Sequence, residues 1–180
     1  MFAGWSEFYF LLGSSAAGLI GLLFVVVTLT AGAQNQSTER GRHLFMTPVV
    51  FHFAVVLTIS ALCTSERMGL QPLAFVIGAA SLIGLIYMGN GAIQLRNPKV
   101  TQHWTDFWYY GALPLVGYAL MLVSAIAVGI RADWASMVLA AVVLGFLLLG
   151  IRNAWDLVTW IAPRTQALAR GEIGGESGNT

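Results

Sequence analysis

Charge is what this 180-residue sequence has least of, because only 9% of its residues are Asp, Glu, Lys or Arg. Nine Lys and Arg stand against eight Asp and Glu, and no basic run occurs that would neutralise a row of phosphates. Hydrophobic residues make up 57% of the chain. This balance excludes a nucleic-acid-binding protein and indicates an integral membrane protein whose main partner is the lipid bilayer.

Cysteine and catalytic motifs are scarce as well. Cys63 is the single cysteine, which excludes an intrachain disulfide and every CxxC zinc or redox motif. There is no HExxH, GxSxG, Walker or Rossmann motif, and His43, His52 and His103 lack the i, i+4 spacing of a helical metal pair. We therefore expect no metal, no other cofactor and no enzyme activity.

Long apolar runs, in contrast, fill most of the chain. About 20 helical residues cross the roughly 30 Å hydrocarbon core of a bilayer, and five runs reach this length. Such lengths predict an all-α integral membrane protein rather than a β-barrel. We expect one transmembrane domain, 1–163, followed by a flexible cytoplasmic tail, 164–180, which is rich in Gly and polar residues. The five helices are expected at about 8–31, 45–64, 72–95, 107–130 and 134–161, the last ending before Pro163.

The distribution of basic residues predicts the orientation of these helices. With five spans, only Arg67 and Arg131 fall on one side of the membrane, and the other seven share the opposite side. Basic loops stay in the cytoplasm, so the N-terminus is expected outside and the C-terminus in the cytoplasm. The seven residues on the cytoplasmic side are Arg40, Arg42, Arg96, Lys99, Arg152, Arg164 and Arg170.

A short segment occurs twice. Residues 15–23 read SAAGLIGLL and residues 78–86 read GAASLIGLI, so six of nine positions are identical sixty-three residues apart. A basic loop and a helix with an early proline follow each copy, and aligning Pro48 with Pro114 pairs His52 with Tyr118. We interpret the pattern as two tandem helical hairpins plus a fifth helix. Chance similarity between apolar helices rich in Ala and Gly is the alternative interpretation.

The repeated segments also carry small residues four positions apart. Gly13, Ala17 and Gly21 share one face of the first helix, and Ala80 and Gly84 share one face of the third. Small residues let helix backbones approach closely in lipid. We expect these faces to pack within the chain, although the spacing is equally compatible with contact between copies.

Five polar residues are the candidate functional residues. His52 lies well inside a predicted spanning helix, where an ionisable group is a functional candidate, and Tyr118 is its partner in the repeat alignment. Asn90 lies near the end of the third run. Arg152 and Asp156 lie four apart on the fifth helix, where we expect an ion pair that anchors the helix at the cytoplasmic boundary.

The N-terminal stretch WSEFYFLLGSSAAGLIGLLFVVVTL resembles the opening of a loosely defined family of small bacterial multi-helix membrane proteins. Members of that family are largely uncharacterised, and some are automatically labelled modulators of a membrane-bound AAA protease. The resemblance implies a bacterial inner-membrane protein and supplies no catalytic residues. The matching residues are Trp5, Phe8, Tyr9, Gly13, Ala16, Ala17, Gly21, Leu22, Leu23, Phe24 and Val25.

Three functions are compatible with these patterns. The first is a non-enzymatic membrane protein that acts by helix packing against itself or another membrane protein. The second is a channel or transporter subunit with a polar pathway near His52 and Tyr118, extended by Thr58, Ser124 and Asn90. The third is a lipid enzyme that would use Asp156 and a histidine as acid and base. Missing catalytic motifs favour the first.

The topology is directly testable. A reporter fused to the C-terminus should be active in the cytoplasm and one fused to the N-terminus outside, because seven of nine basic residues share one side. Paired fusions of phosphatase and fluorescent-protein reporters measure this. Reporters that place both ends on one side would contradict an odd number of spans.

Overall fold

The computed structural model describes residues 2, 4–30, 36–65, 67–95 and 108–169. Within these ranges the chain is helical and contains no strand, which confirms the all-α class there. Helix α4 opens with one π-helical turn, Trp108–Ala112, and continues as the α-helix Leu113–Gly129. The other helices are α1, Ser6–Thr30, α2, Gln36–Thr64, α3, Leu70–Leu95, and α5, Ala135–Ala169.

Four of these helices are long and apolar enough to cross a membrane, as judged by length and composition. The candidate spans are Ser6–Thr28, Leu70–Gly91, Trp108–Gly129 and Ala135–Asp156. The apolar part of α2 is shorter and covers Pro48–Thr64. The described structure therefore supports a helical membrane protein with four candidate spans, one fewer than the sequence predicted.

Two helix ends differ from the sequence prediction. Helix α2 begins at Gln36, well before position 45, and α5 continues past Pro163 to Ala169 instead of ending near 161. A proline removes one helical hydrogen bond without always ending a helix, and Pro48 likewise lies inside α2. Residues 164–169, predicted to be part of a flexible tail, are helical, while 170–180 lie outside the described residues.

The helices pack as neighbours in the order α1, α2, α5, α4, α3. Helix α1 packs mainly on α2, α3 mainly on α4, and α5 lies against both α2 and α4. Some corresponding positions of α2 and α4 are buried in both helices, among them Pro48 with Pro114 and Val55 with Met121, although Phe53 is buried where Ala119 is exposed. Helices α2 and α4 therefore turn the same aligned face toward the middle of the bundle.

Three aromatic rings fit against three glycines on neighbouring helices. Phe53 of α2 lies so close to Gly150 of α5 that a β-carbon there would be 2.5 Å from its ring. Phe146 of α5 would be 2.8 Å from a β-carbon at Gly117 of α4. The ring of Tyr118 in α4 occupies the equivalent space at Gly84 of α3. These contacts connect α2 to α5, α5 to α4, and α4 to α3.

The small-residue faces are used differently from our expectation. Gly13 does pack within the chain, because a β-carbon there would lie 3.1 Å from Cβ of Ser60. Ala17 and Gly21 are exposed, and no atom of the described residues lies within 4 Å of a β-carbon at Gly21. Intramolecular packing was therefore the wrong expectation for Ala17 and Gly21. The prediction failed because the buried side of α1 is set by its large residues, including Tyr9 and Leu12.

Replacing Gly84 by alanine should destabilise the bundle, because the added methyl would overlap the Tyr118 ring. Overpacking of this kind costs about 1–3 kcal/mol. Gly21→Ala is the matched control at the identical position of the repeat, and it should be neutral or slightly stabilising because its site is open. Thermal unfolding in detergent measures both. Equal unfolding midpoints for the two variants would show that Tyr118 can move aside.

Candidate functional site

The centre of the bundle contains the two residues that the repeat alignment paired. His52 Nδ1 lies 2.9 Å from the Tyr118 hydroxyl, and both side chains are 0% exposed. His52 lies one helical turn after Pro48 on α2, and Tyr118 one turn after Pro114 on α4. Because these two helices turn the same aligned face inward, corresponding residues meet each other across the bundle.

A third ring from α5 covers the pair. Phe146 stacks on the His52 imidazole at 5.3 Å between centroids and 15° between planes, and its centroid lies 4.5 Å from that of Tyr118. Phe51 of α2 adds ring contacts to both Tyr118 and Tyr87 of α3. The polar pair is therefore bordered by aromatic side chains from α2 and α5, with Tyr87 of α3 packed against Phe51.

The hydrogen-bonding capacity of His52 is only half used. A neutral imidazole has one donor and one acceptor nitrogen, so Tyr118 donates to Nδ1 or accepts from it, according to the tautomer. His52 Nε2 is buried and has no hydrogen-bond partner among the described residues. Such a group costs about 1–3 kcal/mol when buried without a partner. His52 Nδ1 and the Tyr118 hydroxyl can share one hydrogen while both side chains are neutral. Nε2 can form a second hydrogen bond to a small polar molecule.

The other residues proposed for a polar pathway do not lie along one surface with this pair. Thr58 is exposed on α2, and Asn90 is exposed on α3. Ser124 is buried, but its hydroxyl donates to the Leu120 carbonyl of its own helix at 2.9 Å. In this conformation the five residues therefore do not form a common lining.

The predicted ion pair forms near the middle of α5, where this helix reaches one end of the bundle. Arg152 Nη1 lies 2.9 Å from Asp156 Oδ2, and the two side chains are 39% and 44% exposed. The guanidinium also lies 3.3 Å above the Tyr109 ring of α4. Arg152 is therefore held by a charge and by an aromatic face, and both contacts reach the surface.

Asn153 joins this end of α5 to the π-helical turn of α4. In a π-turn the Tyr109 carbonyl would bond to the N–H five residues later, but that residue is Pro114, which has none. The buried Asn153 Nδ2 donates to this carbonyl at 3.3 Å, and the Tyr110 hydroxyl donates to the Asn153 carbonyl at 3.2 Å. The side chain of Asn153 thus supplies the bond that the proline removes.

Helix α1 has an open face, defined here as Phe10, Ser14, Gly18, Gly21 and Val25, all of them exposed. Gly18 and Gly21 have nothing within 4 Å of an added β-carbon. The residues sixty-three positions later lie on α3 and are all buried in the bundle, where Gly84 receives the Tyr118 ring. The same repeat therefore packs against a helix in α3, whereas in α1 it has no such neighbour among the residues that the structure describes. The buried counterparts are Leu73, Ile77, Ser81, Gly84 and Met88.

Sequence reasoning missed several of these contacts. The role of Phe146 had no sequence signal, since it is one apolar residue among many in α5. The contact between Tyr109 and Arg152 was also missed, because Tyr109 lies in a π-helical turn that the sequence did not indicate. No group of three or more His, Cys, Asp or Glu that would hold a metal ion occurs among the described residues, which exclude His103.

Comparison with known proteins gives a partial similarity. No family model and no solved structure match the chain. It is 34% identical over 117 residues to aquaporin TIP1-1 of Arabidopsis thaliana, covering 59% of this chain and 46% of that protein. It is 28% identical over 116 residues to a probable TIP-type aquaporin of Medicago truncatula, with the same coverage of 59% and 46%. The chain thus spans about half the length of these curated relatives.

The Arg152 contacts predict unequal effects of substitution. Asp156→Ala should cost less than about 1 kcal/mol, because an exposed ion pair contributes little. Arg152→Lys keeps the charge but loses the planar stacking on Tyr109, so it should cost more than Asp156→Ala. Unfolding in detergent and a double-mutant cycle measure these terms. A coupling between Arg152 and Asp156 above about 2 kcal/mol would contradict a surface pair.

Proposed function

We propose that this chain is a non-enzymatic integral membrane protein that acts by packing the open face of α1 against another membrane protein or a second copy. The observation that carries the proposal is the repeat, because residues that pack against a helix in α3 are exposed at the same repeat positions in α1. The face that packs against a neighbouring helix in α3 is thus exposed on the surface of the bundle in α1.

The physics of lipid supports this role for small residues. Apolar side chains gain little from leaving lipid, so helices associate there through close van der Waals contact. Ser14 and Gly18 are four residues apart, as are Ala17 and Gly21, and all four are exposed. This spacing allows a second helix to approach the α1 backbone along two turns.

The proposal includes five spans, with α2 as the fifth. Its 17 residues from Pro48 to Thr64 lie at the short end of the range for a transmembrane helix, and Leu44 to Thr47 would extend the apolar run. Five spans place the N-terminus outside and the C-terminus in the cytoplasm of a bacterial inner membrane. The shared inward face of α2 and α4 supports two tandem hairpins, whereas the different faces of α1 and α3 mean that any duplication has diverged in its first helix.

We propose no catalytic role for His52, Arg152 or Asp156, because their contacts indicate packing and ion pairing. His52 is covered by the Phe146 ring, and Arg152 and Asp156 bind each other. The resemblance of the N-terminal stretch makes a membrane-bound AAA protease one candidate for the partner.

Crosslinking tests the proposed contact. In a Cys63→Ala chain, Leu22→Cys places a thiol beside the open face, since Leu22 is exposed and adjacent to Gly21. A benzophenone attached there should capture a protein partner in native membranes, and the mass of the product distinguishes a second copy from another protein. Leu82→Cys is the matched control, because it is exposed on α3 at a similar depth.

A second substitution shows whether capture depends on the open face. Gly21→Leu should leave folding intact, since its position is open, but should remove the Leu22 product by blocking close approach. Equal capture from Leu22 and Leu82, or capture that survives Gly21→Leu, would contradict a specific contact through this face.

A channel or transporter subunit is the second candidate, and the similarity to two aquaporins favours it. In this candidate, His52 and Tyr118 line a pathway that opens when Phe146 moves away from them. Phe146→Ala should then increase the water permeability of liposomes containing the chain, measured by stopped-flow light scattering. Permeability equal to that of protein-free liposomes for both forms would exclude a water channel.

A further inference from the structure

A second set of buried polar side chains lies where α1 begins and α2 ends. Tyr9 in the second turn of α1 is 0% exposed, and its hydroxyl lies beside the Cys63 thiol in the last turn of α2. Ser60, one turn earlier on α2, is equally buried and faces Gly13 of α1. We call Tyr9, Ser60 and Cys63 the Tyr9 cluster.

The two hydroxyls of the Tyr9 cluster lack a hydroxyl, amide or carbonyl partner among the described residues. The Tyr9 hydroxyl and Ser60 Oγ are both buried without a hydrogen-bond partner among the described residues. Cys63 does not change this, because a thiol is only a weak hydrogen-bonding group. Each buried hydroxyl without a partner costs about 1–3 kcal/mol.

Ser60 also differs from other buried serines of the bundle. Ser81 and Ser124 are equally buried, and each donates to the carbonyl four residues earlier on its own helix. The Ser60 hydroxyl makes no such bond. Gly13 packs closely on this part of α2, because a β-carbon at Gly13 would lie 3.1 Å from Ser60 Cβ and 3.9 Å from its Oγ. The Ser60 hydroxyl thus lies where α1 meets α2, without a hydrogen-bond partner among the described residues.

The surroundings restrict what can bind there. Phe2, Trp5 and Phe8 place their rings around Tyr9, with ring centroids 5.5 to 6.5 Å from it. Gly4 adopts a φ of 88°, and this turn folds Phe2 back toward the helix. None of the three cluster side chains is charged at neutral pH. A ligand must therefore be small, neutral and able both to donate and to accept hydrogen bonds.

We infer that the Tyr9 cluster is a binding site for water, held between α1 and α2 by the Tyr9 and Ser60 hydroxyls and the Cys63 thiol. Buried waters typically bind to two to four polar groups that have no other partner, and this cluster offers three. The inference is independent of the role of the open face, which consists of other residues of α1.

The single cysteine provides a selective probe of this site. The S–H stretching band of the full-length chain in liposomes arises only from Cys63. A thiol next to exchangeable water should convert to S–D soon after transfer to D₂O, and its band should be shifted by hydrogen bonding. The reference is a dry thiol, Val56→Cys in a Cys63→Ala chain, since Val56 is 0% exposed two turns away on α2.

The expected result is exchange at Cys63 at least about tenfold faster than at the Val56→Cys thiol. Ser60→Ala and Tyr9→Phe should each move the Cys63 band toward its position in the dry reference. Exchange as slow as in the reference, or a band that neither variant changes, would overturn the inference.

Stability gives an independent second readout. If water binds Ser60, Ser60→Ala removes a hydrogen bond and the thermal unfolding midpoint should fall. If the Ser60 hydroxyl has no partner, the same change removes an unsatisfied group and the midpoint should rise. A rise would overturn the inference even if the Cys63 thiol exchanges quickly.

Discussion

The packing of the bundle depends on aromatic rings that fit only because a glycine lies opposite each of them on the neighbouring helix. In lipid the helices gain little by hiding apolar side chains from their surroundings, so their association requires close contact. Phe53 against Gly150, Phe146 against Gly117 and Tyr118 against Gly84 provide this contact and connect four of the five helices. A ring that enters the space of a missing side chain fixes both the distance and the register of the two helices. The position of His52 follows, because Tyr118 and Phe146 are two of these three rings.

The difference between α1 and α3 shows what a sequence repeat does and does not determine. Six of nine residues are identical, yet Gly84 receives a ring while Gly21 faces outward. The buried side of each helix is decided by residues outside the repeat. Tyr9 and Leu12 turn α1 toward α2, whereas Leu73 and Met88 belong to the buried side of α3. Helix α1 buries Tyr9 and Gly13, whereas the counterparts of Phe10 and Ser14 are buried in α3. The buried side of α1 is thus displaced by one residue, which corresponds to about 100° of rotation about the helix axis.

The sequence predicted the helical class and the approximate position of each helix, because these depend on local hydrophobicity. It aligned His52 with Tyr118 as equivalent positions of a repeat, but it did not predict that the two side chains touch. It did not predict which face of each helix is buried. Nearly every residue of α1 and α3 is apolar or small, so a polar side, which orients helices in soluble proteins, is missing. The same uniformity hid Phe146, and the π-turn hid the link between Asn153 and α4. The continuation of α5 through Pro163 was missed because a proline is a frequent but not obligatory helix end.

Three sets of buried polar groups lie at different levels of the bundle, and they differ in how many of their atoms have hydrogen-bond partners. Asn153 near one end supplies the hydrogen bond that Pro114 removes, so its polarity is explained by the fold. His52 in the middle uses one nitrogen on Tyr118 and leaves Nε2 without a partner among the described residues. At the other end, the Tyr9 and Ser60 hydroxyls have no such partner at all. Apolar side chains such as Val56 and Ile59 separate the last two levels along α2. The described polar groups therefore form separate clusters and not a continuous polar path. Asn153 is therefore accounted for by the packing of the helices alone. The atoms without partners at the other two levels are the groups on which the proposed water site and the second candidate function depend.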